Sequence, residues 1–337
     1  MNMKENFPLR AYNTFGITAH ARLFAEINSE EELQELLNET DLLNNHHLIL
    51  GGGSNVLFTG DFDGAVIKIA TRGMEVIGET SQHILIQVSA GENWDGLVDH
   101  CVANNWGGLE NLSLIPGQVG SSPIQNIGAY GVELKDHFHS LDAMHRSSGQ
   151  IRTFNLNDCR FGYRDSFFKR EGKDQFIILS VTLRLDKDPG VNIAYAALAK
   201  ELERHGIIHP DIKNVREAVI SVRQSKLPDP EKTGNAGSFF KNPVISEGQF
   251  HELSVNFPHI ASFPDKGGIK IAAGWLVDQA GWKGYRLGDA GVHEKQALVL
   301  VNHGHASGKD IIDLARQITQ SVREKFGIEL QPEVNII

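Results

Sequence analysis

The spacing of apolar and polar residues predicts mostly strands in the first half of the chain and mostly helices in the second. Apolar positions that alternate or run together predict strands, and apolar positions three or four residues apart predict helices. This spacing indicates a protein of mixed α and β structure. The predicted strands are 20–27, 47–50, 56–58, 65–70, 74–78, 84–89, 139–145, 151–154, 176–185 and 297–302, with an extended segment at 328–337. The predicted helices begin at Ser29, Asn93 and Ser246 or cover 196–204, 215–225, 271–280 and 311–326.

The length of the chain and the change of pattern predict two domains. A chain of 337 residues exceeds what one hydrophobic core usually organises. Strands give way to helices over residues 196–225. We therefore expect a domain boundary near residue 215.

Composition and charge narrow the class of protein. Hydrophobic residues make up 41% of the chain and charged residues 22%, as in ordinary globular proteins. The chain has 32 Lys and Arg against 42 Asp and Glu, so its formal charge is -10. This balance argues against a nucleic-acid partner, because phosphate backbones bind basic surfaces.

The cysteines and the N-terminal segment indicate the compartment. Cys101 and Cys159 lie far apart and outside any C-x-x-C pattern, which is typical of a reducing compartment and argues against structural zinc. The first ten residues lack the apolar run of a signal peptide, and no segment approaches the about 18 apolar residues that span a bilayer. We expect a cytoplasmic protein without a membrane partner. Nothing in the sequence indicates an oligomer, so we expect a monomer.

Two glycine-rich segments are candidates for binding a phosphate-containing cofactor. One follows the predicted strand 47–50, and the other lies between residues 106 and 131, where no periodic pattern is present. They match neither a P-loop nor a Rossmann fingerprint, and the triple glycine could simply close a tight hairpin. Their backbone N–H groups, hydroxyls and amides nevertheless favour an anion cradle for a dinucleotide. The candidate cofactor-binding residues are Gly51, Gly52, Gly53, Ser54, Asn55, Gly117, Gly120, Ser121, Ser122, Gln125 and Asn126.

The histidines do not form a metal-binding pattern. His137 and His139 are two residues apart, as are His303 and His305, and no H-E-x-x-H motif or third ligand accompanies either pair. We interpret them as structural residues and predict no metal site.

A set of longer motifs, in the same order along nearly the whole chain, resembles one enzyme family. The motifs are GGGSNVL and IPGQVGSSPIQNIGAYG in the glycine-rich segments, NTFG from Asn13, FGYRDS from Phe161, SKLPDP from Ser225, NAGSFFKNP from Asn235, AGWLVDQAGWKG from Ala273 and PEVNII from Pro332. Together they resemble the UDP-N-acetylenolpyruvoylglucosamine reductases, also called UDP-N-acetylmuramate dehydrogenases. The segment around Tyr195 resembles the class of this family that carries a tyrosine-bearing insertion.

The resemblance implies an α+β fold and a flavin-dependent reaction. It implies a vanillyl-alcohol-oxidase-like (PCMH-type) FAD-binding domain over 1–215, with lobes of about 1–70 and 71–215. A smaller α+β substrate-binding domain covers 216–337, and its final strand, 328–337, returns to the flavin domain. Non-covalent FAD, reduced by NADPH, would reduce UDP-N-acetylglucosamine enolpyruvate, a small nucleotide sugar, to UDP-N-acetylmuramate for peptidoglycan synthesis.

Three residues match the catalytic residues of this family. Ser238 is the implied proton donor, although a serine beside glycine is usually a turn residue. Arg164 offers a planar fork for a carboxylate, and its alternative is a salt bridge to an acid such as Asp165. Glu333 is implied to help stabilise the enol intermediate, and its alternative is an ordinary surface glutamate.

The resemblance also implies a group of substrate-binding residues, each of which could instead be a solvated surface residue. Two other functions stay open from the sequence, namely a flavin oxidase of the same fold acting on an alcohol and a non-catalytic nucleotide-sugar-binding protein. The implied substrate-binding residues are Tyr195, Lys226, Asn242, Lys283 and Gln296.

Overall fold

The chain folds into two compact units, and each unit is made of three separate segments of the sequence. A computed structural model describes residues 3–38, 46–265 and 267–337. Unit 1 comprises Met1–Phe7, Ala21–Gly52 and Asp63–Ser225, and unit 2 comprises Pro8–His20, Gly53–Phe62 and Lys226–Ile337. Within the described ranges, no helix is both long and apolar enough to cross a membrane.

The strands are mostly short, and the longest belong to unit 1. In chain order they are β1 (Lys4–Pro8), β2 (His20–Ile27), β3 (His47–Leu50), β4 (Val56–Leu57), β5 (Phe62–Ile69), β6 (Met74–Glu79), β7 (His83–Ser89), β8 (Gly128–Ala129), β9 (Val132–Glu133), β10 (Phe138–His145), β11 (Ile151–Asn155), β12 (Phe176–Asp186), β13 (Val244–Ile245), β14 (Ser262–Asp265), β15 (Gly268–Ile271), β16 (Arg286–Leu287), β17 (Ala290–Val292), β18 (Leu300–Asn302) and β19 (Asn335–Ile336).

The helices of the described residues lie in both units. In chain order they are α1 (Glu30–Asn38), α2 (Trp94–Ala103), α3 (Leu156–Cys159), α4 (Ala196–Arg204), α5 (Ile212–Lys226), α6 (Glu247–Asn256), α7 (Ala273–Gln279) and α8 (Gly308–Phe326). Helices α1, α2 and α6 begin directly after the polar residues that the sequence indicated, whereas α8 begins at Gly308, before the predicted 311–326. Asn93 caps α2 by accepting a hydrogen bond from the N–H of Gly96, and Ser246 and Ser307 cap α6 and α8 in the same way.

Unit 1 is built on two larger sheets, and the short strands β8 and β9 pair as a third. The first has the order β1-β2-β5-β3, with β3 and β5 parallel, and α1 packs its buried leucines against it. The second has the order β11-β10-β12-β7-β6 and is antiparallel. Its apolar face packs on α2 and on the loop that follows α2, so this loop shares one buried core with the sheet.

Unit 2 has smaller sheets around a long amphipathic helix. Its sheets have the orders β13-β15-β14, β16-β17-β18 and β19-β4. Helix α8 buries one stripe that includes Ile311, Ile318 and Val322, and this spacing is that of a helix with one face in the core. The C-terminal strand β19 pairs in parallel with β4.

The structure corrects three expectations about boundaries. Residue 215 lies inside α5, and the compact units divide after Ser225 instead. The segment predicted as a helix over 271–280 is the end of β15 followed by the shorter helix α7. In the segment 328–337, only Asn335–Ile336 form a strand, and its partner β4 belongs to unit 2.

A partly buried ion pair ties the aperiodic loop of unit 1 to two helices. Asp95 in α2 accepts hydrogen bonds from both terminal nitrogens of Arg216 in α5, at 2.8 and 3.2 Å. It also accepts the backbone N–H of Leu114 at 2.6 Å, where the loop adopts a left-handed φ of 57°. Burial alone would raise the pKa of Asp95, but the hydrogen bonds from Arg216 and Leu114 outweigh burial and leave the pKa below its ordinary value.

We expect Asp95→Asn to destabilise unit 1 by about 1–3 kcal/mol at neutral pH, because it removes one partner of a partly buried ion pair. Because the folded-state pKa of Asp95 lies below the unfolded value, its contribution is complete above the unfolded pKa and is lost as pH falls through the folded one. The difference between variant and wild type should therefore shrink below about pH 4. Urea unfolding at pH 7 and at pH 3 measures both effects.

Asp99→Asn is the matched control. Asp99 also contacts Arg216, at 3.2 Å, but its side chain is 71% exposed, so its removal should change the urea midpoint little. Equal losses from the two substitutions would contradict the role assigned to Asp95.

Candidate active site

In unit 1 the two glycine-rich segments meet backbone to backbone. A Cβ added to Gly52 would lie 2.8 Å from the Cα of Gly117, and a Cβ added to Gly51 would contact the side chains of Gln118 and Ser121. Gly120 packs as tightly against Ala90, where an added Cβ would lie 2.5 Å from the Ala90 Cβ. Side chains at these glycines would push the segments apart. The triple glycine is therefore part of a contact between two distant loops rather than only a hairpin turn.

Most polar groups of the second segment are used to hold its own shape. The Ser122 hydroxyl, which is buried, donates to the carbonyl of Val119 at 2.6 Å. The Asn126 amide nitrogen donates to Glu133 and to the carbonyl of Gly162, and its oxygen accepts the N–H of Lys135. The side chains of Ser122 and Asn126, predicted to contact the cofactor, thus stabilise the loop.

Two further candidates of this segment also have partners in unit 1. The Ser121 hydroxyl donates to the carbonyl of Gln118 at 2.7 Å. Lys169 donates to the side-chain oxygen of Gln125 at 3.4 Å. Both side chains remain partly exposed, so they keep surface that a ligand could contact.

The end of the triple glycine belongs to unit 2. Gly53 has a φ of +67°, and an added Cβ would lie 2.0 Å from the carbonyl oxygen of Tyr12. Ser54 and Asn55 are half-buried. The Asn55 amide donates to the carbonyl of Glu333 at 3.4 Å, and its carbonyl accepts the backbone N–H of Asn335 at 3.0 Å. Asn55, predicted to bind the cofactor, thus holds the C-terminal segment.

The geometry of the glycines fits a diphosphate. Across the described residues, the N–H groups of Gly52 and Gly53 have no protein acceptor. Glycine N–H groups that are not hydrogen-bonded within the fold are the donors that bind phosphate oxygens in nests. Since no side chain stands beside them, an anion can approach the backbone closely.

Arg164 is held by a hydrogen bond to a segment that is distant in sequence. Its Nη2 donates to the carbonyl of Gly128 at 2.7 Å, and its guanidinium lies 5.6 Å from the centre of the Tyr163 ring. Its backbone has a left-handed φ of 52°. Asp165, the acid suggested as an alternative partner, forms an ion pair with Arg170 at 3.1 Å.

A polar cluster that the sequence did not indicate lies in the same unit. Arg223 in α5 hydrogen-bonds Tyr130 and is electrostatically coupled to Arg164. Burial lowers the pKa of Arg223 and raises that of Tyr130. The buried Nε of Arg223 has no acceptor among the described residues. These residues belong to no short sequence motif, because they are distant in sequence. Helix α5 and the left-handed backbone of Tyr130 bring them together.

Tyr195 joins this cluster through an aromatic contact. Its ring lies edge-on to that of Tyr130, with centroids 5.1 Å apart, and is 48% exposed. The buried Asn111 positions both segments, because its amide donates to the carbonyls of Tyr130 and Asn192 at 3.0 and 2.8 Å. The structure therefore brings together Arg164, Arg223, Tyr130 and Tyr195.

In unit 2 backbone pairing places the predicted proton donor beside the predicted glutamate. The N–H of Glu333 donates to the carbonyl of Phe239 at 2.7 Å, and Phe240 pairs with Pro332. Ser238 is half-buried and pairs with Val299. The rings of Phe239 and Phe240 are buried and exclude water from one side of this segment.

The remaining candidates of unit 2 have mixed environments. Asn242 accepts the N–H of Ala273 at 2.9 Å and so stabilises the start of α7. Lys283 forms a half-exposed ion pair with Asp278 at 3.1 Å. Lys226, the last residue of α5, is exposed. A Cβ on Gly274 would lie 3.5 Å from the side-chain oxygen of Gln296, so Gln296 lies over the first turn of α7.

The described residues contain no group of three His, Cys, Asp or Glu side chains that could hold a metal ion. Another residue that the sequence did not indicate is Lys68, whose Nζ donates to Gly51 and Gln118. Lys68 lies within an apolar strand pattern, and this pattern did not indicate that it binds the glycine-rich segments.

Comparison with known proteins identifies the family. Residues 229–337 match the model of the C-terminal domain of UDP-N-acetylenolpyruvoylglucosamine reductase, and residues 21–155 match that of an FAD-binding domain. Reductases of this name from Flavobacterium johnsoniae and Amoebophilus asiaticus are 47% and 48% identical, over 100% of both chains in each case. The crystal structure of the Thermus caldophilus reductase has a TM-score of 0.70 at 25% identity and covers 99% of this chain and 98% of its own.

These findings confirm the predicted flavin fold, with its PCMH-type FAD-binding domain and a smaller C-terminal domain, and they confirm FAD as the cofactor. They also confirm that the protein is an oxidoreductase. The chain belongs to the UDP-N-acetylenolpyruvoylglucosamine reductase family.

Proposed function

We propose that this protein reduces UDP-N-acetylglucosamine enolpyruvate with electrons from NADPH, and that Ser238 gives the proton and Arg164 and Glu333 stabilise the developing charge. The observation that carries this proposal is the hydrogen bond between the N–H of Glu333 and the carbonyl of Phe239. It sets the two chemically active side chains of unit 2 on adjacent backbone segments. Membership of the family supplies the substrate and the reaction type.

The reaction sets the demands that the residues must meet. Bound FAD supplies the hydride that adds to the terminal carbon of the enolpyruvyl double bond. Negative charge then develops on the carboxylate, and the neighbouring carbon must receive a proton. A positive or hydrogen-bonding group is needed at the carboxylate, and an acid is needed at the carbon.

Ser238 meets the second demand through its surroundings. Gly237 has a φ of +70°, and a Cβ placed there would meet no atom within 4 Å, so the backbone beside Ser238 leaves space for a substrate. Across the described residues, the Ser238 hydroxyl has no hydrogen-bond partner. A hydroxyl that is not engaged by the fold can turn its proton toward the substrate carbon.

Arg164 meets the first demand. Its hydrogen bond to the carbonyl of Gly128 orients the guanidinium group, and the planar fork of an arginine is suited to a carboxylate. Arg223 lies close enough to add positive potential at the same place. Two arginines in one partly buried cluster repel each other, and a bound anion relieves this repulsion.

The substrate's diphosphate and nucleotide are assigned to Tyr195, Lys226, Asn242, Lys283 and Gln296. In support, Tyr195 is exposed beside Arg223 and Tyr130, and Lys226 is an exposed cation. Asn242 lies at the start of α7, where its side-chain oxygen accepts the N–H of Ala273, and a side-chain amide suits a nucleotide because it carries both donors and acceptors. No observation favours an alcohol oxidase or a non-catalytic binding protein.

We assign the protein to the cytoplasm and propose that it acts as a monomer. Cys101 and Cys159 are both buried and unpaired, and burial raises the pKa of each thiol to about 12. Such thiols remain protonated and inert, which suits a reducing compartment. Light scattering of the purified protein measures the oligomeric state.

The protein should purify yellow, with FAD that acid precipitation releases into the supernatant. This expectation follows from a site of glycines and backbone donors, which binds a diphosphate without a covalent bond. The absorbance spectrum of the supernatant measures the released flavin. Colour retained in the pellet would contradict non-covalent binding.

Ser238→Ala should leave flavin reduction by NADPH nearly unchanged and slow the reduction of the enolpyruvyl substrate by about a hundredfold or more, because only the second step needs a proton at carbon. Stopped-flow absorbance separates the two half-reactions. Ser225→Ala is the control, since the Ser225 hydroxyl donates to Val222 within α5. Equal slowing of both half-reactions by Ser238→Ala would make Ser238 structural.

Lys226→Ala should weaken binding of UDP-N-acetylglucosamine enolpyruvate by about tenfold without loss of FAD, because it removes a charge-assisted contact to the diphosphate. Tyr195→Phe should weaken it less, since it removes one hydroxyl and keeps the ring. Substrate titration followed by the flavin spectrum measures both. Lys232→Ala, at an exposed lysine paired with Asp229, is the control, and wild-type affinity in Lys226→Ala would remove Lys226 from the site.

A further inference from the structure

Lys68 is a lysine in a strand that is otherwise built for the core. It lies in β5, between Ile67 and Ile69, which are both buried. Because side chains alternate across a strand, Lys68 faces away from that core. In the parallel ladder of β3 and β5, Lys68 is opposite Leu50, the residue before the triple glycine.

The ammonium group of Lys68 joins the two glycine-rich segments. Its Nζ donates to the carbonyl of Gly51 at 2.7 Å and to the side-chain oxygen of Gln118 at 2.9 Å. Gln118 is only 8% exposed and continues the chain of contacts, since its amide nitrogen donates to the carbonyl of Gly91 at 2.8 Å. Lys68 therefore connects the first segment, through Gln118, to the backbone on which the second segment is anchored.

These contacts lie next to the closest approach of the two backbones. Lys68 binds Gly51, which precedes Gly52, and Gln118, which follows Gly117. The backbones of Gly52 and Gly117 touch. A charge placed here acts on both loops at once. It is also the charge expected where an anion binds, because backbone N–H groups and a cation favour the same ligand.

We propose that Lys68 is a positioning residue of the flavin site, whose ammonium holds the two glycine-rich segments at the spacing that binds the FAD diphosphate and adds positive charge there. The inference rests on the proposed assignment of these segments to FAD. Lys68 acts through Gly51 and Gln118, not by contact with the reacting atoms.

The environment of Lys68 makes this role depend on pH. The pKa of Lys68 is lowered to about 8, because burial and the positive charge of Arg72 lower it by more than Glu26 of the neighbouring strand β2 raises it. Arg72 is itself paired with Glu92 at 3.2 Å. A bound diphosphate favours the charged lysine, so FAD affinity is greatest below the pKa of the apoprotein and falls as pH rises through it.

The test is FAD binding to apoprotein, followed by quenching of flavin fluorescence between about pH 6.5 and 9.5. Wild type should lose affinity by several-fold over the upper half of this range. Lys68→Met keeps the length and removes the charge, so FAD should bind at least about tenfold more weakly at pH 7, with a flat profile. Lys68→Arg should restore most of the affinity at pH 7 and keep it at high pH, because a guanidinium does not titrate there.

Controls separate this inference from the proposed function and from misfolding. Lys232→Met should bind FAD like wild type, because Lys232 is exposed. If wild type itself does not bind FAD, the assignment of the segments is wrong. If wild type binds FAD but Lys68→Met has the same affinity and the same pH profile, the inference alone is overturned. Should Lys68→Met fail to fold by circular dichroism, a wild-type pH profile in Lys68→Arg would overturn it.

Discussion

The contact between the backbones of Gly52 and Gly117 is the constraint on which the proposed cofactor site of unit 1 depends. Two segments that are distant in sequence reach this contact only because neither carries a side chain there. Parallel pairing of β3 with β5 positions Leu50 and so sets where the first segment begins. Asp95 sets the entry to the second by binding both Arg216 and the strained backbone at Leu114. The glycines permit the contact, and the surrounding polar links hold it.

In unit 2 the equivalent constraint is the pairing of the C-terminal segment. Strand β19 is only two residues long and pairs with the equally short β4. Pairing this short has little stability by itself. Asn55 adds its amide and carbonyl, and the N–H of Glu333 adds a bond to Phe239. The backbone of Glu333 thus lies next to the segment that contains Ser238.

In the long loops, buried asparagines form the hydrogen bonds to backbone groups that helices and sheets form elsewhere. Asn126, Asn111 and Asn302 are almost fully buried, and each binds backbone groups from segments that no helix or sheet connects. Buried backbone groups need a hydrogen-bond partner, and a side-chain amide offers both donors and acceptors. The loops can therefore be ordered and irregular at once, which is what a site made of loops requires.

The sequence by itself determined the elements, the family and the residue types of the chemistry. Strands such as β2, β7 and β12, most of helix α8 and the capped helices α2 and α6 were predicted because hydrophobic period and capping are local properties. The two glycine-rich segments were found for the same reason. The resemblance to the family rests on long motifs that occur in the same order along the chain. This resemblance indicated Arg164, Ser238 and Glu333.

The tertiary structure alone decided what each polar residue is free to do. Asn126 and Ser122 have the composition of ligand-binding residues, but their groups are used within the loop. Lys68 and Arg223 sit in ordinary strand and helix patterns, yet the fold sets Lys68 between two loops and Arg223 beside Tyr130. The division after Ser225 depended likewise on long-range packing. Apart from the bond of Ser122 to Val119, these partners are distant in sequence, so the local pattern of residues does not predict them.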